Sequence, residues 1–307
     1  MRKYVLYIMV YFASVVVMDL GFGFSTDYME SHAKGGAAKK LVDLCEKDHY
    51  DMLIMGSSKA HHNYIPQVFY DSLGMTCYNA GYDGNGIILA YGILSMIADD
   101  RLPKIIIYDI KQQFDIYHYN EDGDHTRYYK TLKPFWGNPA IDDIIKSISP
   151  RDVLLMHSSL YRKNGEFVSI VRNWLRNSPV DLNYGYKPLL GLISDESEQE
   201  KDYTNVIDTL KFGYFIKFVK LTKDKGVDLI VVLSPEYNTP FEKDFQPIRD
   251  FCLSEGVTVV DYFQEPAFLK KELFKDHCHM NDNGARVYSM ALAHVLKTRE
   301  LFQKSIE

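Results

Sequence analysis

The 307-residue chain is short of cysteine and has no surplus of positive charge, and each shortage removes a class of function. Four cysteines, Cys45, Cys77, Cys252 and Cys278, are too few and too scattered for a disulfide scaffold, and none forms a C-x-x-C metal pair. They read as small buried hydrophobes, with a single bridge as the alternative in an oxidising compartment. Lys and Arg number 35 against 41 Asp and Glu, a net charge of -6, so no broad basic surface can neutralise phosphates and nucleic acid is excluded as a partner. Internal repeats, low-complexity tracts and an acidic tail are also missing, which leaves an ordinary packed protein. With 46% hydrophobic residues the chain can bury a core.

Those hydrophobic residues are unevenly spread. Tyr4 to Met18 carries no charge and follows Arg2 and Lys3; after the single Asp19 the apolar character resumes through Phe24. As a helix this run spans about 31 Å, the thickness of a hydrocarbon core. The stretch after it offers no A-x-A cleavage pattern. Residues 1–24 are therefore expected to form a signal anchor, with a cleaved signal or a buried amphiphilic helix as alternatives. Basic residues at the extreme N-terminus place that end in the cytoplasm and residues 25–307 outside it, in the cell envelope.

Beyond the anchor, short apolar runs alternate with helical spacing. Ser31 to His49 reads as a helix. Met52–Met55, Thr76–Asn79, Lys104–Ile110, Leu229–Ser234 and Thr258–Asp261 read as strands. Helices are expected around Ile65–Phe69, at Ile87–Ile97, at Asn205–Leu221 with an apolar stripe of Val206, Leu210, Tyr214, Phe218 and Leu221, around Pro247–Leu253, and from Asp282 to Lys297. The alternation predicts a three-layer α/β fold: a flavodoxin-like, five-stranded parallel sheet with helices on both faces. Residues 115–203 interrupt it as a helical and aromatic insertion in a single domain, 25–307.

Chemistry in such sheets gathers at the carboxyl ends of the strands. Met55 to His62, MGSSKAHH, places two serines in the turn between a strand and a helix, where a hydroxyl is exposed and helix-start N–H groups can hold an oxyanion. The plainer role for Ser57 or Ser58 is an N-cap. Lys275 to Ala285, KDHCHMNDNGA, precedes the last helix. Asp276 and His279 are three apart, a spacing that lets the carboxylate reach one ring nitrogen and leaves the other free as a base. Asn281 or Asp282 is a natural N-cap and Gly284 eases the turn.

Taken together, these motifs resemble the SGNH, or GDSL-like, serine hydrolase superfamily in order and spacing. Gly56-Ser57-Ser58 is similar to its nucleophile motif, Asn79 to Gly84 to its glycine loop, and Asp276, His279, Asn281 and Gly284 to its closing D-x-x-H-x-N-x-x-G. The resemblance covers about two-thirds of the chain and implies Ser58, Asp276 and His279 as catalytic residues, the backbone of Ser58 and Gly84 as oxyanion donors, and no cofactor or metal. It departs from the family after the third strand. The usual asparagine is missing from IYDIKQQFD, which makes Gln113 the replacement donor to examine.

Other polar residues have plainer roles. His61 and His62 could line the pocket rim or act as a rival base, or be locally bonded; His277 breaks the D-x-x-H register; Asp109 and Asp115 lack histidine partners for a metal and read as structural. Seven aromatic residues between Phe114 and Trp136 suggest a sugar-stacking surface with Tyr117, Tyr119 and Trp136 as candidates, against a small satellite core as the alternative. By resemblance, the expected activity is removal of O-acyl, chiefly O-acetyl, groups from a carbohydrate. The alternatives are an acyltransferase working beside a membrane acyl-donor protein, and a weakly catalytic carbohydrate-binding protein.

Overall fold

The computed structural model describes residues 2–33, 35–119, 125–176, 183–194 and 197–304. Five short strands, β1 (Met52–Gly56), β2 (Cys77–Asn79), β3 (Ile105–Asp109), β4 (Asp228–Leu233) and β5 (Thr258–Asp261), form one parallel sheet in the order β2-β1-β3-β4-β5. β1 and β3 are buried along their whole length, as β-branched and apolar runs covered on both faces must be. Alternate residues serve opposite layers. Met52, Ile54, Ile105, Ile107, Ile230 and Val232 share a core with α4 (Pro66–Leu73) and the final helix, through Val68, Phe69, Tyr288 and Leu292. On the other face Tyr108 packs at a tilt against Phe218, its ring centroid 5.3 Å away.

Twelve α-helices are described. Besides α4 they are α1 (Arg2–His32), α2 (Ala37–Glu46), α3 (Ser58–Asn63), α5 (Ile87–Met96), α6 (Gln112–Asp115), α7 (Pro139–Ile148), α8 (Ser159–Lys163), α9 (Phe167–Arg176), α10 (Thr209–Asp224), α11 (Gln246–Glu255) and α12 (Asp282–Lys304). The fold class is the one expected from the alternation, with helix ends set by caps the periodicity does not see. α10 starts at Thr209 rather than near Asn205, because the Asp208 carboxylate accepts from the N–H groups of Leu210 and Lys211. Val206, placed in the apolar stripe by spacing alone, precedes that cap and is exposed.

The chain divides into two compact units, and not at residue 24. One unit holds residues 48–128 and 182–307, with the sheet; the other holds residues 1–47 and 129–181. The expected insertion is thus split. Residues 114–119 and 183–193 stay with the sheet: His118 N–H donates to the Val206 carbonyl, Asn79 N–H to Tyr184, and Ile193 N–H to Phe274. Residues 120–124, 177–182 and 195–196 of that insertion lie outside the described residues.

In the second unit α1 runs unbroken to His32, past the expected end of the apolar segment. Tyr4 to Met18 is exposed at every position, and α1 is long and apolar enough to cross a membrane. Asp19 has a built role. Its carboxylate accepts from Ser158 Oγ at 2.6 Å and from the N–H groups of Ser159 and Leu160 at 2.9 and 2.8 Å, capping the start of α8. Phe22 meets Phe167 of α9, and Lys163 pairs with Asp27 and Glu30.

Candidate active site

Gly56 ends β1 at φ 140°, a conformation that favours glycine, and a Cβ there would lie 2.5 Å from the Asp109 carbonyl oxygen. The chain can therefore turn sharply from β1 into α3. Ser57, fully buried, takes the cap: its Oγ accepts from Lys59 N–H at 3.4 Å. Ser58 is left at the first helical position, partly exposed, with its hydroxyl free for another partner. The two serines thus divide the roles that sequence left open between them.

That partner is His279. Its Nε2 lies 2.7 Å from Ser58 Oγ, and its Nδ1 lies 2.9 Å from both carboxylate oxygens of Asp276. In the neutral imidazole, a hydrogen on Nδ1 shared with Asp276 leaves Nε2 to accept from the serine hydroxyl. Asp276 Oδ1 also accepts from the N–H groups of Cys278 and His279 at 3.0 and 2.9 Å, so the carboxylate is fixed by its own loop. Burial works against its charge, and the imidazole with those N–H groups outweighs it, holding the carboxyl well below the usual range. For His279, burial again opposes charge, but Cys278 and Asp276 prevail and push it up to about 10.

Asn281 caps α12: its Oδ1 accepts from Gly284 N–H at 2.9 Å, while Asp282 accepts from Tyr186 OH. Gly284 is required for proximity rather than for turning, since a Cβ would lie 2.0 Å from the Leu273 carbonyl oxygen. Ser58 and Gly84 both keep a backbone N–H without an acceptor among the described residues, Gly84 at φ 69°.

Gln113 is committed elsewhere, its amide donating to Asp202 at 2.8 Å. Tyr117 is buried, stacked on Tyr203, with its hydroxyl on the Asp244 carbonyl. Tyr119 is exposed and carries Arg127 over its ring; Arg127 Nη2 lies 2.9 Å from where a Cβ on Gly84 would stand. Trp136 belongs to the other unit, beside His157. Phe114, Tyr128 and Tyr129 are buried, so most of this aromatic set packs inward. His277 bonds the Tyr237 carbonyl, Asp109 accepts from Ser234, and Asp115 accepts from Lys111 N–H, Ile87 N–H and Tyr108 OH, all structural duties. The four cysteines are free, and all but Cys278 are buried.

Two clips went unread in the sequence. Asn63, fully buried at the end of α3, accepts from Met280 N–H at 2.9 Å, tying the Ser58 helix to the His279 loop. Asn79 donates to the carbonyls of Ala60 and Tyr64 and accepts from Gly81 N–H, tying α3 to the Gly84 loop. A third feature is a buried ionic cluster. Glu236 Oε1 is 2.8 Å from Lys59 Nζ and 2.9 Å from Lys111 Nζ, with both Lys59 and Glu236 fully enclosed. In strand register Gly56 pairs with Asp109, the last pair of β1 and β3, and Lys111 follows two residues beyond the end of β3.

No family model matches the chain, and no curated protein matches it. Among solved structures it is similar to a G-D-S-L-family protein from Desulfitobacterium hafniense DCB-2, at 9% identity and a TM-score of 0.41, over 80% of this chain and 99% of that one.

Proposed function

We propose that the protein is an SGNH-type serine esterase that removes O-acyl, chiefly O-acetyl, groups from a cell-envelope carbohydrate. The hydrogen-bonded row Ser58–His279–Asp276 carries this reading. In the mechanism, the Ser58 hydroxyl proton passes to His279 Nε2 as Oγ bonds to the ester carbonyl carbon. The carbonyl oxygen becomes an anion held by the N–H groups of Ser58 and Gly84. The carbon–alkoxide bond then breaks, His279 returns the proton to the leaving alkoxide oxygen, which departs as a hydroxyl, and Asp276 steadies the imidazolium meanwhile. Water, activated by the same base, cleaves the acyl-serine and releases the acid. A sugar hydroxyl in place of that water would give acyl transfer by the same steps.

Tyr119 supports a carbohydrate substrate: it is the exposed aromatic whose Arg127 partner borders the Gly84 loop. A membrane anchor is supported by the exposed apolar stretch of α1. The test is fluorophosphonate labelling of the detergent-solubilised full chain, with the adduct mapped by mass spectrometry. A single adduct on Ser58, lost in Ser58→Ala, is expected. A reagent-inert Ser58 in folded protein overturns the reading, because only an activated serine reacts.

A further inference from the structure

Apart from the row already described, two imidazoles converge on one carboxylate oxygen. His61 Nδ1 is 2.8 Å and His62 Nε2 is 3.1 Å from Asp83 Oδ1. The other ring nitrogen of His62 is 2.7 Å from the Lys187 carbonyl oxygen. A carbonyl only accepts, so that nitrogen carries the hydrogen. Nε2 of a neutral His62 is then a lone pair facing a carboxylate lone pair, and only a cation between them, a proton or a metal, satisfies both.

We infer that His61, His62 and Asp83 bind a Zn2+ ion. Two imidazole nitrogens and a carboxylate oxygen are a zinc donor set, and tetrahedral bonds of about 2.0–2.1 Å separate neighbouring ligand atoms by about 3.3 Å. The two separations to Asp83 Oδ1, 2.8 and 3.1 Å, reach that by opening about half an ångström or less, and the three ligand atoms already lie within 4.8 Å of one another. The bond from His62 to the Lys187 carbonyl is the outer contact that orients a metal-bound histidine and fixes its tautomer. His61 and Asp83 are 22% and 46% exposed, which leaves water access to a fourth position. Lys187 Nζ stands 3.5 Å from the other Asp83 oxygen, but its side chain is 59% exposed and free to swing clear.

The comparable group of His118, His125 and Asp208 lacks this room. The fully buried Lys211 ammonium lies 3.5 Å from the oxygen those histidines share, and the other oxygen caps α10. His62 and Asp83 lie 21 positions apart in no recognised metal spacing, which is why the chain reads as metal-free from sequence.

The ion would clamp α3 to the loop that carries Gly84, and so fix the two oxyanion N–H groups relative to each other. His62 also stands edge-on to His279, ring centroids 5.3 Å apart, so the clamp stiffens one wall of the base. This role rests on the esterase reading; the binding does not.

The test uses the full chain in detergent, stripped with a chelator, titrated with ZnCl2 by calorimetry and with CoCl2 by visible absorption. One equivalent of Zn2+ is expected, with tetrahedral Co2+ bands and no thiolate charge-transfer band. Asp83→Asn and the more exposed His61→Ala should each weaken Zn2+ by at least the roughly 10–100-fold that losing even an outer partner costs, with Cys278→Ser unchanged. Absence of stoichiometric uptake overturns the site, as does binding that survives both variants or falls with Cys278→Ser. Zinc uptake beside an unlabelled Ser58 would sink the esterase and leave the metal site standing.

Discussion

Ser58 Oγ lies 2.7 Å from His279 Nε2 although the two residues are 221 positions apart. On the esterase reading the contact predicts kinetic effects. Ser58→Ala should lower kcat towards acetyl esters by about 10⁶-fold, and Asp276→Asn by about 10⁴-fold through the wrong imidazole tautomer, with circular dichroism unchanged. Steady-state kinetics on the purified chain check both, and an Asp276→Asn enzyme of full activity would remove Asp276 from the row.

On the esterase reading, the pH profile should be set by Cys278 as well as by Asp276. Cys278 Sγ lies 3.4 Å from His279 Nδ1. Burial lowers the imidazole's proton affinity, and Cys278 and then Asp276 overcome this and push it up to about 10. The base must be neutral to act, so kcat/KM should climb with pH and reach half its plateau near 10. Cys278→Ser should move that midpoint to lower pH, and an unmoved midpoint would show that the thiol does not act on the base. The linked stability has the sign of a raised group. It is complete below the unfolded value of 6.5 and is lost as pH rises through about 10.

Much of the fold was legible because the cues are local. Runs such as Ile105–Asp109 have the β-branched residues a doubly covered strand needs, and the closing D-x-x-H lies within a few residues of the helix it precedes. What stayed hidden depends on pairing across the chain. Nothing local says that Asn63 reaches Met280 or that Gln113 spends its amide on Asp202. Nor does a charged Lys59 announce that it is sealed against Glu236, 177 positions away. The aromatic run between Phe114 and Trp136 left a satellite core and an open stacking surface both open for the same reason, since composition does not say that Phe114, Tyr117, Tyr128 and Tyr129 are buried while Tyr119 is exposed.

Glu236 makes the ionic cluster a stability test. Burial opposes its charge, but Lys111 and then Lys59 hold its carboxyl down at about 2. Its contribution is present above the unfolded value of 4.5 and is lost as pH falls through about 2. Glu236→Gln leaves two ammonium groups in a dry environment and should cost about 3–5 kcal/mol. A urea midpoint measured at neutral pH reads this directly. Adding Lys59→Met to that variant should recover part of the loss, and a Glu236→Gln protein of unchanged midpoint would mean water reaches the lysines.

The other unit makes a prediction about the bilayer. Along α1, Leu20, Phe24 and Tyr28 continue the exposed apolar face on a four-residue spacing, while Asp19, Gly23 and Thr26 turn towards α8 and α9. Those two helices in turn expose Leu160, Val168 and Leu175. A helix that crosses the hydrocarbon and is capped by such elements should hold them in the headgroup layer, where half-buried apolar side chains and basic neighbours such as Arg172 are both satisfied. Trp174, 38% exposed on α9, reports on this. In a Trp136→Phe background reconstituted into vesicles, lipids brominated near the headgroup should quench its fluorescence more than lipids brominated at the chain ends. Val168→Ser with Leu175→Ser should weaken that quenching, and a Trp174 quenched equally by an aqueous quencher with or without vesicles would place α9 clear of the membrane.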